Sequence, residues 1–402
     1  MSADVWQETS LGEFIRLQRG HDLTENDRRP GVVPVMGSGG QKGFHDTALA
    51  KGPGVVIGRS GVGSMGVVTY CQDDYWPHNT VLYVTDFRGN DERFVYYFLK
   101  QLDLRRFDSG SAQASLNRNF LYPLRIRVPD VPTQKLIAET LGSLDDKIDL
   151  NCRSKRTLES VTAAVFKSWF VDFDPVRKKM EGKSDNELGL PPSLAALFPS
   201  TMTSTVGIEH PEGWKCGELG DLVSERTQRV GSSPEAVVLS AVSSGHLVRS
   251  DDHFNKRVYS KDLGKYKIVL RNDFAYNPSR INIGSIGILH EDVLGAVSPV
   301  YVVFTPREGY ANFVDFHMRE GSTQAWIGQL SSGSVRQSLA YRDLVTIPAV
   351  IPSQESVAAF DNVLASVRAS SKALEAQTST LCQVRDELLP RLLSGEVDIV
   401  DR

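Results

Sequence analysis

The chain repeats itself, with the repeated blocks in the same order in both halves. Trp6 and Leu11-Gly12-Glu13 recur 208 residues later as Trp214 and Leu219-Gly220-Asp221. Arg59-Ser60-Gly61-Val62-Gly63-Ser64-Met65-Gly66 recurs 221 later as Arg280-Ile281-Asn282-Ile283-Gly284-Ser285-Ile286-Gly287. Ser109-Gly110-Ser111 with Ser115-Leu116 recurs 223 later as Ser332-Gly333-Ser334 with Ser338-Leu339, and Pro132-Thr133-Gln134 recurs 220 later as Pro352-Ser353-Gln354. Such drift in offset is what loop insertions produce. A fixed order of matches marks a duplicated architecture, so each half must fold as a similar unit.

Each half reads as a mixed α+β globular part followed by a helical segment. Short apolar runs suggest strands of a bent sheet: Val55-Val56-Ile57, Val67-Val68-Thr69-Tyr70 and Val81-Leu82-Tyr83-Val84 in the first copy. The second offers Ile268-Val269-Leu270, Ile286-Gly287-Ile288-Leu289 and Val300-Tyr301-Val302-Val303. Gly- and Asn-rich turns separate them. Val95, Phe98, Leu99 and Leu102 share one face of a helix over Phe94 to Leu102.

The helical segments carry the plainest periodicity. Ile137, Leu141, Leu144, Ile148, Asn151, Lys155, Leu158, Thr162, Val165 and Trp169 alternate by four and three, with Thr133 as the expected N-cap. Phe360, Leu364, Val367, Ser371, Leu374, Thr378, Leu381, Arg385, Leu388 and Leu392 repeat that spacing. Each helix is about 60 Å long at 1.5 Å per residue. Neither seam stays dry alone, so the two are expected to pair antiparallel as a coiled coil; the plainer alternative is that each caps its own domain. The expected segments are 1–131, 132–172, 173–205 as a linker, 206–350 and 351–395. The linker's Arg177-Lys178-Lys179 reads as a solvated run.

Charge narrows the function. The 402 residues hold 45 basic and 49 acidic groups, a formal charge of −4. Residues 1–130 carry 15 basic and 15 acidic residues, and residues 206–349 carry 15 and 16. That excludes binding by bulk positive charge, but not a local basic patch. No apolar run reaches the roughly 20 residues of a membrane span. The start has no signal-peptide pattern, and four scattered cysteines without a CxxC pair suit a reducing cytoplasm.

Catalytic motifs fare poorly. Gly61-Val62-Gly63-Ser64-Met65-Gly66 fits GxGxxG, but a dinucleotide loop must lead into a helix, and Val67-Val68-Thr69-Tyr70 is strand-like. Asp174 with Glu181-Gly182-Lys183 mimics a nuclease metal site yet sits among Gly and Pro. Asn277-Pro278-Ser279 lacks the second Pro and the aromatic of amino-methyltransferases. The expectation is no catalysis by this chain, no catalytic residue, no metal ligand and no cofactor of its own.

The ordered set of blocks resembles the specificity subunit of type I restriction–modification enzymes. The blocks are the Trp-x4-Leu-Gly opening of each half, Val56 to Gly61 with Trp76-Pro77-His78-Asn79-Thr80, Pro132-Thr133-Gln134 and Asn151-Cys152-Arg153. Phe166 to Pro175 and Leu388 to Glu396 complete it. The second copy departs at the Trp-Pro-His-Asn block, offering Ala296-Val297-Ser298-Pro299. The resemblance implies two target-recognition domains held apart by the helices, each reading half of a bipartite double-stranded DNA site. It implies two methyltransferase subunits and two restriction/motor subunits as partners, with S-adenosylmethionine, ATP and Mg on those partners. Other readings are an autonomous nuclease or methyltransferase, and a protein-binding adaptor.

Polar groups on Gly-rich loops or at the ends of runs are the candidate DNA contacts. In the first domain these are Arg16, Arg19, Lys42, Arg59, Ser60, His78, Asn79, Asn117 and Arg118. In the second they are Arg226, Arg229, Lys256, Arg257, Arg280, Asn282, Arg336 and Tyr341. Arg59 and Arg280 stand out because the repeat sets both beside the glycine turn. The competing role for each is a structural arginine paired to a buried carboxylate.

Overall fold

The computed structural model describes residues 5–109, 114–231, 236–242, 245–253, 259–260, 262–331 and 338–397. The chain forms two compact units, one built from residues 1–155 with 372–402 and the other from 156–371. Each therefore contains one globular part and a share of both long helices, Val131–Phe170 and Gln354–Ser394.

In the first unit, β1 (Trp6–Ser10) pairs antiparallel with β9 (Arg125–Pro129). β2 (Arg16–Arg19), β5 (Gly54–Gly58), β6 (Val68–Cys71) and β8 (Val81–Asp86) form a sheet of order β2-β8-β5-β6. β3 (Val33–Gly37) lies between β4 (Gly40–His45) and β7 (Trp76–Pro77), with β3 and β7 parallel. β5 is buried along its whole length, which is why it reads as a continuous apolar run. A helix over Glu92–Gln101, capped by Asp91, buries Phe94, Val95, Phe98 and Leu99.

The second unit repeats this topology with one strand added to its second sheet. β10 (Met202–Thr205) and β11 (Ile208–Pro211) form a hairpin, and β12 (Lys215–Glu218) pairs with β21 (Pro348–Ile351). β13 (Val223–Glu225), β17 (Phe274–Tyr276), β18 (Ile286–Ile288) and β20 (Val302–Pro306) take the order β13-β20-β17-β18. β14 (Val237–Ala241), β15 (Leu247–Arg249), β16 (Lys267–Val269) and β19 (Gly295–Val297) take the order β15-β14-β19-β16, with β14 and β19 parallel. β19 thus stands where β7 stands in the first unit. The block whose sequence diverges keeps its structural place.

The Leu-Gly pairs show what the repeat preserves. Leu11 and Leu219 are fully buried. The Leu11 and Gly12 amides donate to the Leu124 and Tyr122 carbonyls, and those of Leu219 and Gly220 donate to Ile347 and Val345. A Cβ on Gly12 would stand 3.1 Å from Tyr122, and one on Gly220 3.2 Å from Val345. Glycine lets the two chain segments close.

All ten seam positions of each long helix are buried or half-buried. In the first unit Arg385 meets Asp145 at 2.8 Å, Asn151 donates to Gln377 at 2.9 Å, and Lys155 meets Glu375 at 2.5 Å. Numbers rise on one helix as they fall on the other, so the pairing there is antiparallel. In the second unit Phe166, Trp169 and Phe170 pack on Phe360. The central helix begins at Val131, and Asp130 rather than Thr133 caps it: the Thr133 amide donates to the Asp130 carboxylate at 3.0 Å. Pro132 falls in the first turn, where its missing N–H costs nothing.

Residues 173–205 do more than connect. Asp174–Met180 is helical, and Phe173, Val176 and Phe198 are buried in the second unit's core. The basic run is partly engaged: Lys179 donates to the carbonyls of Ala195 and Phe198 at 2.7 Å each, and Arg177 meets Glu209. No helix among the described residues is long and apolar enough to cross a membrane.

Candidate nucleic-acid interface

The register of the first four-stranded sheet gathers several candidates at one end. β5 ends at Gly58, so Arg59 and the glycine turn follow there; β8 begins at Val81, so His78 and Asn79 precede it at the same end. β2 runs antiparallel to β8 and brings Arg19, opposite Leu82, to that end too. The Arg59 amide donates to the Thr80 carbonyl at 2.8 Å, and the Ser38 hydroxyl to the same carbonyl at 3.0 Å. This draws in the β3–β4 hairpin, on which Lys42 covers Gly37. Ser60 bridges Ser115, and the Leu116 amide donates to the Arg59 carbonyl, which places Asn117 nearby.

Arg59 is half-buried, and its Nε is buried without a hydrogen-bond partner among the described residues. Burial, then the charge of Arg19, lowers its pKa below the ordinary guanidinium range. It pairs with no carboxylate among the described residues, so the structural-arginine role does not describe it. An unmet buried donor with a second cation beside it favours an incoming acceptor. His78 stands 3.1 Å from the Thr80 hydroxyl, and burial followed by Lys42 pulls its pKa down. The Asn79 amide is bound to Asp22.

Other first-unit candidates lie elsewhere or are engaged. Arg16 is at the opposite end of β2, over the Tyr122 ring at 5.5 Å. Arg118 donates to the Leu17 carbonyl at 2.8 Å, and the Asn117 side chain caps the short helix Arg118–Leu121.

In the second unit the loop after β17 carries Arg280 and Asn282, both exposed, with neither side chain hydrogen-bonded or ion-paired among the described residues. The Asn277 amide donates to Ser285 and the Arg280 amide to Asn277, closing the loop; Gly284 turns it at φ +86°. Behind it lies a cleft of about 210 Å³ lined by Gly245, Gly284, Gly287, Asp315 and Arg319. Arg229 is exposed, and its backbone forms an isolated antiparallel β-bridge with Lys267. Tyr341 is half-buried and donates to the Val223 carbonyl at 3.3 Å. Arg226 takes the role proposed against Arg59: it is paired to the buried Asp273 at 2.6 Å. Lys256, Arg257 and Arg336 lie outside the described residues.

The glycine run does not make a dinucleotide loop. Gly61, Gly63 and Gly66 have φ of +112°, +82° and +80°, and β6 follows, not a helix. A Cβ on Gly58 would stand 2.0 Å from the Ser64 carbonyl oxygen, and one on Gly287 2.4 Å from the His246 backbone. The close approach these glycines allow is to the protein's own chain.

Residues 4–160 match the family model described as the type I restriction modification DNA specificity domain. The HindI specificity subunit of Haemophilus influenzae is 25% identical over 339 residues, covering 68% of this chain and 69% of that one. The MjaIX specificity subunit of Methanocaldococcus jannaschii is 22% identical over 330 residues, covering 77% of this chain and 70% of that one. The first globular part thus matches the type I restriction modification DNA specificity domain, and most of the chain is similar to type I specificity subunits. Its fold agrees: the solved S subunit from M. genitalium aligns over 100% of this chain and 98% of its own, with TM-score 0.58 and 14% identity.

The family that these relatives form is a non-catalytic specificity subunit of type I restriction enzymes. Two further features at the site have no signature in local sequence. Arg105, on the turn Leu104–Phe107, packs its side chain against Gly66 beside the glycine turn, a proximity across 39 positions that no local pattern signals. Val62 lies inside the glycine turn, but only its exposure of 99% distinguishes it.

Proposed function

We propose that each unit of this chain reads one half of a bipartite double-stranded DNA site. The long helices set the spacing between halves and dock two methyltransferase subunits, and two restriction/motor subunits complete the assembly. S-adenosylmethionine, ATP and Mg belong to those partners. The observation that carries the reading is Arg59, with its unmet Nε at the end of the sheet, and Arg280 at the corresponding position of the second unit. A guanidinium so placed suits the O6 and N7 acceptors of guanine. Near-neutral units fit base reading, with the partners supplying much of the phosphate attraction.

The expected result is that Arg59→Ala in the assembled methyltransferase complex relaxes one base pair of one half-site, at about 1–3 kcal/mol of discrimination. Arg280→Ala relaxes the other half alone. Competition binding against duplexes altered at single positions measures both, and unchanged affinity and selectivity in both variants would overturn the assignment.

A further inference from the structure

Two exposed aliphatic side chains recur with the duplication. Val62, between Gly61 and Gly63, is 99% exposed; Ile283, 221 positions later, is 69% exposed. Each stands three residues after its arginine, Arg59 or Arg280. Positive φ at Gly61, Gly63 and Gly284 carries the two apices outward. Aliphatic neighbours point the other way: Ile57 is fully buried, Ile281 is 1% exposed and Ile286 8%. A single exposed valine needs no explanation. The same kind of side chain, branched at Cβ, on the corresponding apex of both units and beside an arginine each time, does need one. The residues are not identical, so what is shared is the character and not the letter.

We propose that Val62 and Ile283 are specificity-determining contacts that seat on the 5-methyl group of a thymine in the major groove, one in each half-site. The proposal rests on the bipartite reading above. Thymine alone among the four standard bases presents a methyl group on that edge, and a small apolar side chain is its natural counterpart. A β-branched side chain has little χ1 freedom to lose on contact. The adjoining guanidinium supplies hydrogen bonding, so each apex pairs one apolar and one polar reader.

The test compares duplexes in which the thymines of one half-site are replaced by deoxyuridine, which removes only the methyl group. For the assembled methyltransferase complex, deoxyuridine in one half-site is expected to weaken binding about ten-fold. Val62→Asn should show the same loss on the thymine duplex and no further loss on the deoxyuridine duplex. Ile283→Asn should behave likewise for the other half. Because both side chains are exposed, the variants should unfold at the parent temperature, which separates lost contact from lost fold. Additive losses, a parent indifferent to deoxyuridine, or a loss accompanied by a changed DNA bend (an apolar wedge between base steps) would overturn the contact. A split site with indifferent variants sinks this proposal alone; absence of a split site sinks the bipartite reading.

Discussion

Replacing Arg226 with methionine should destabilise the second unit by about 3–5 kcal/mol, the usual cost of leaving one member of a buried ion pair alone. Asp273 is fully buried. Its oxygens accept from Arg226 Nε at 2.6 Å, Arg226 Nη2 at 3.3 Å, the Thr305 hydroxyl at 2.6 Å and the Leu270 amide at 2.7 Å. The arginine supplies the only opposite charge in that set, and methionine would leave the carboxylate without it. Adding Asp273→Asn should recover much of the loss, because the neutral amide oxygen can still accept from the Leu270 amide while its NH2 donates to the Thr305 hydroxyl, which can turn to accept. Thermal unfolding of the full-length chain checks both. A loss below about 1 kcal/mol in the single variant would place the pair among ordinary surface bridges.

Phe166→Ala should cost a similar amount, about 3–5 kcal/mol for a large buried aromatic. Phe166 is fully buried, with ring centroids of Phe170, Phe313, Phe316 and Phe360 at 5.3, 5.6, 5.2 and 5.5 Å. It joins the central helix to the C-terminal helix and to the helix Ala311–Arg319 of the second unit. Removing it opens a cavity that four rigid rings cannot readily fill. Phe166→Ala and Phe360→Ala share that cavity, so their double variant should lose clearly less than the sum of the singles. Unfolding of the three variants measures the coupling; strict additivity would mean that the rings pack independently.

The helices were legible because an apolar seam has a period that local sequence displays. So were β5 and β8, whose buried runs contain few polar residues. The hairpin β3–β4 was not: Val33–Gly37 contains Pro34, and its partner Gly40–His45 is polar and glycine-rich. Its place is fixed by long-range contacts such as Ser38 with Thr80. The cap of the central helix moved from Thr133 to Asp130 because proline is accepted in a first turn. At the site, the repeat points to Arg59 and Arg280 as corresponding residues beside the turn. It could not show that Arg226 is committed to Asp273, since that partner lies 47 positions away. Arg16 sits at the wrong end of its strand for the same reason, since only register decides which end a residue occupies.

If one chain carries two readers, the bases methylated under its direction record both. They can be read by sequencing DNA modified by this chain together with a partner methyltransferase. The expected motif is asymmetric, in two short specific parts separated by unspecified bases, with Arg59→Ala and Arg280→Ala each relaxing a different part. A single short contiguous motif, altered by both variants at the same position, would contradict it.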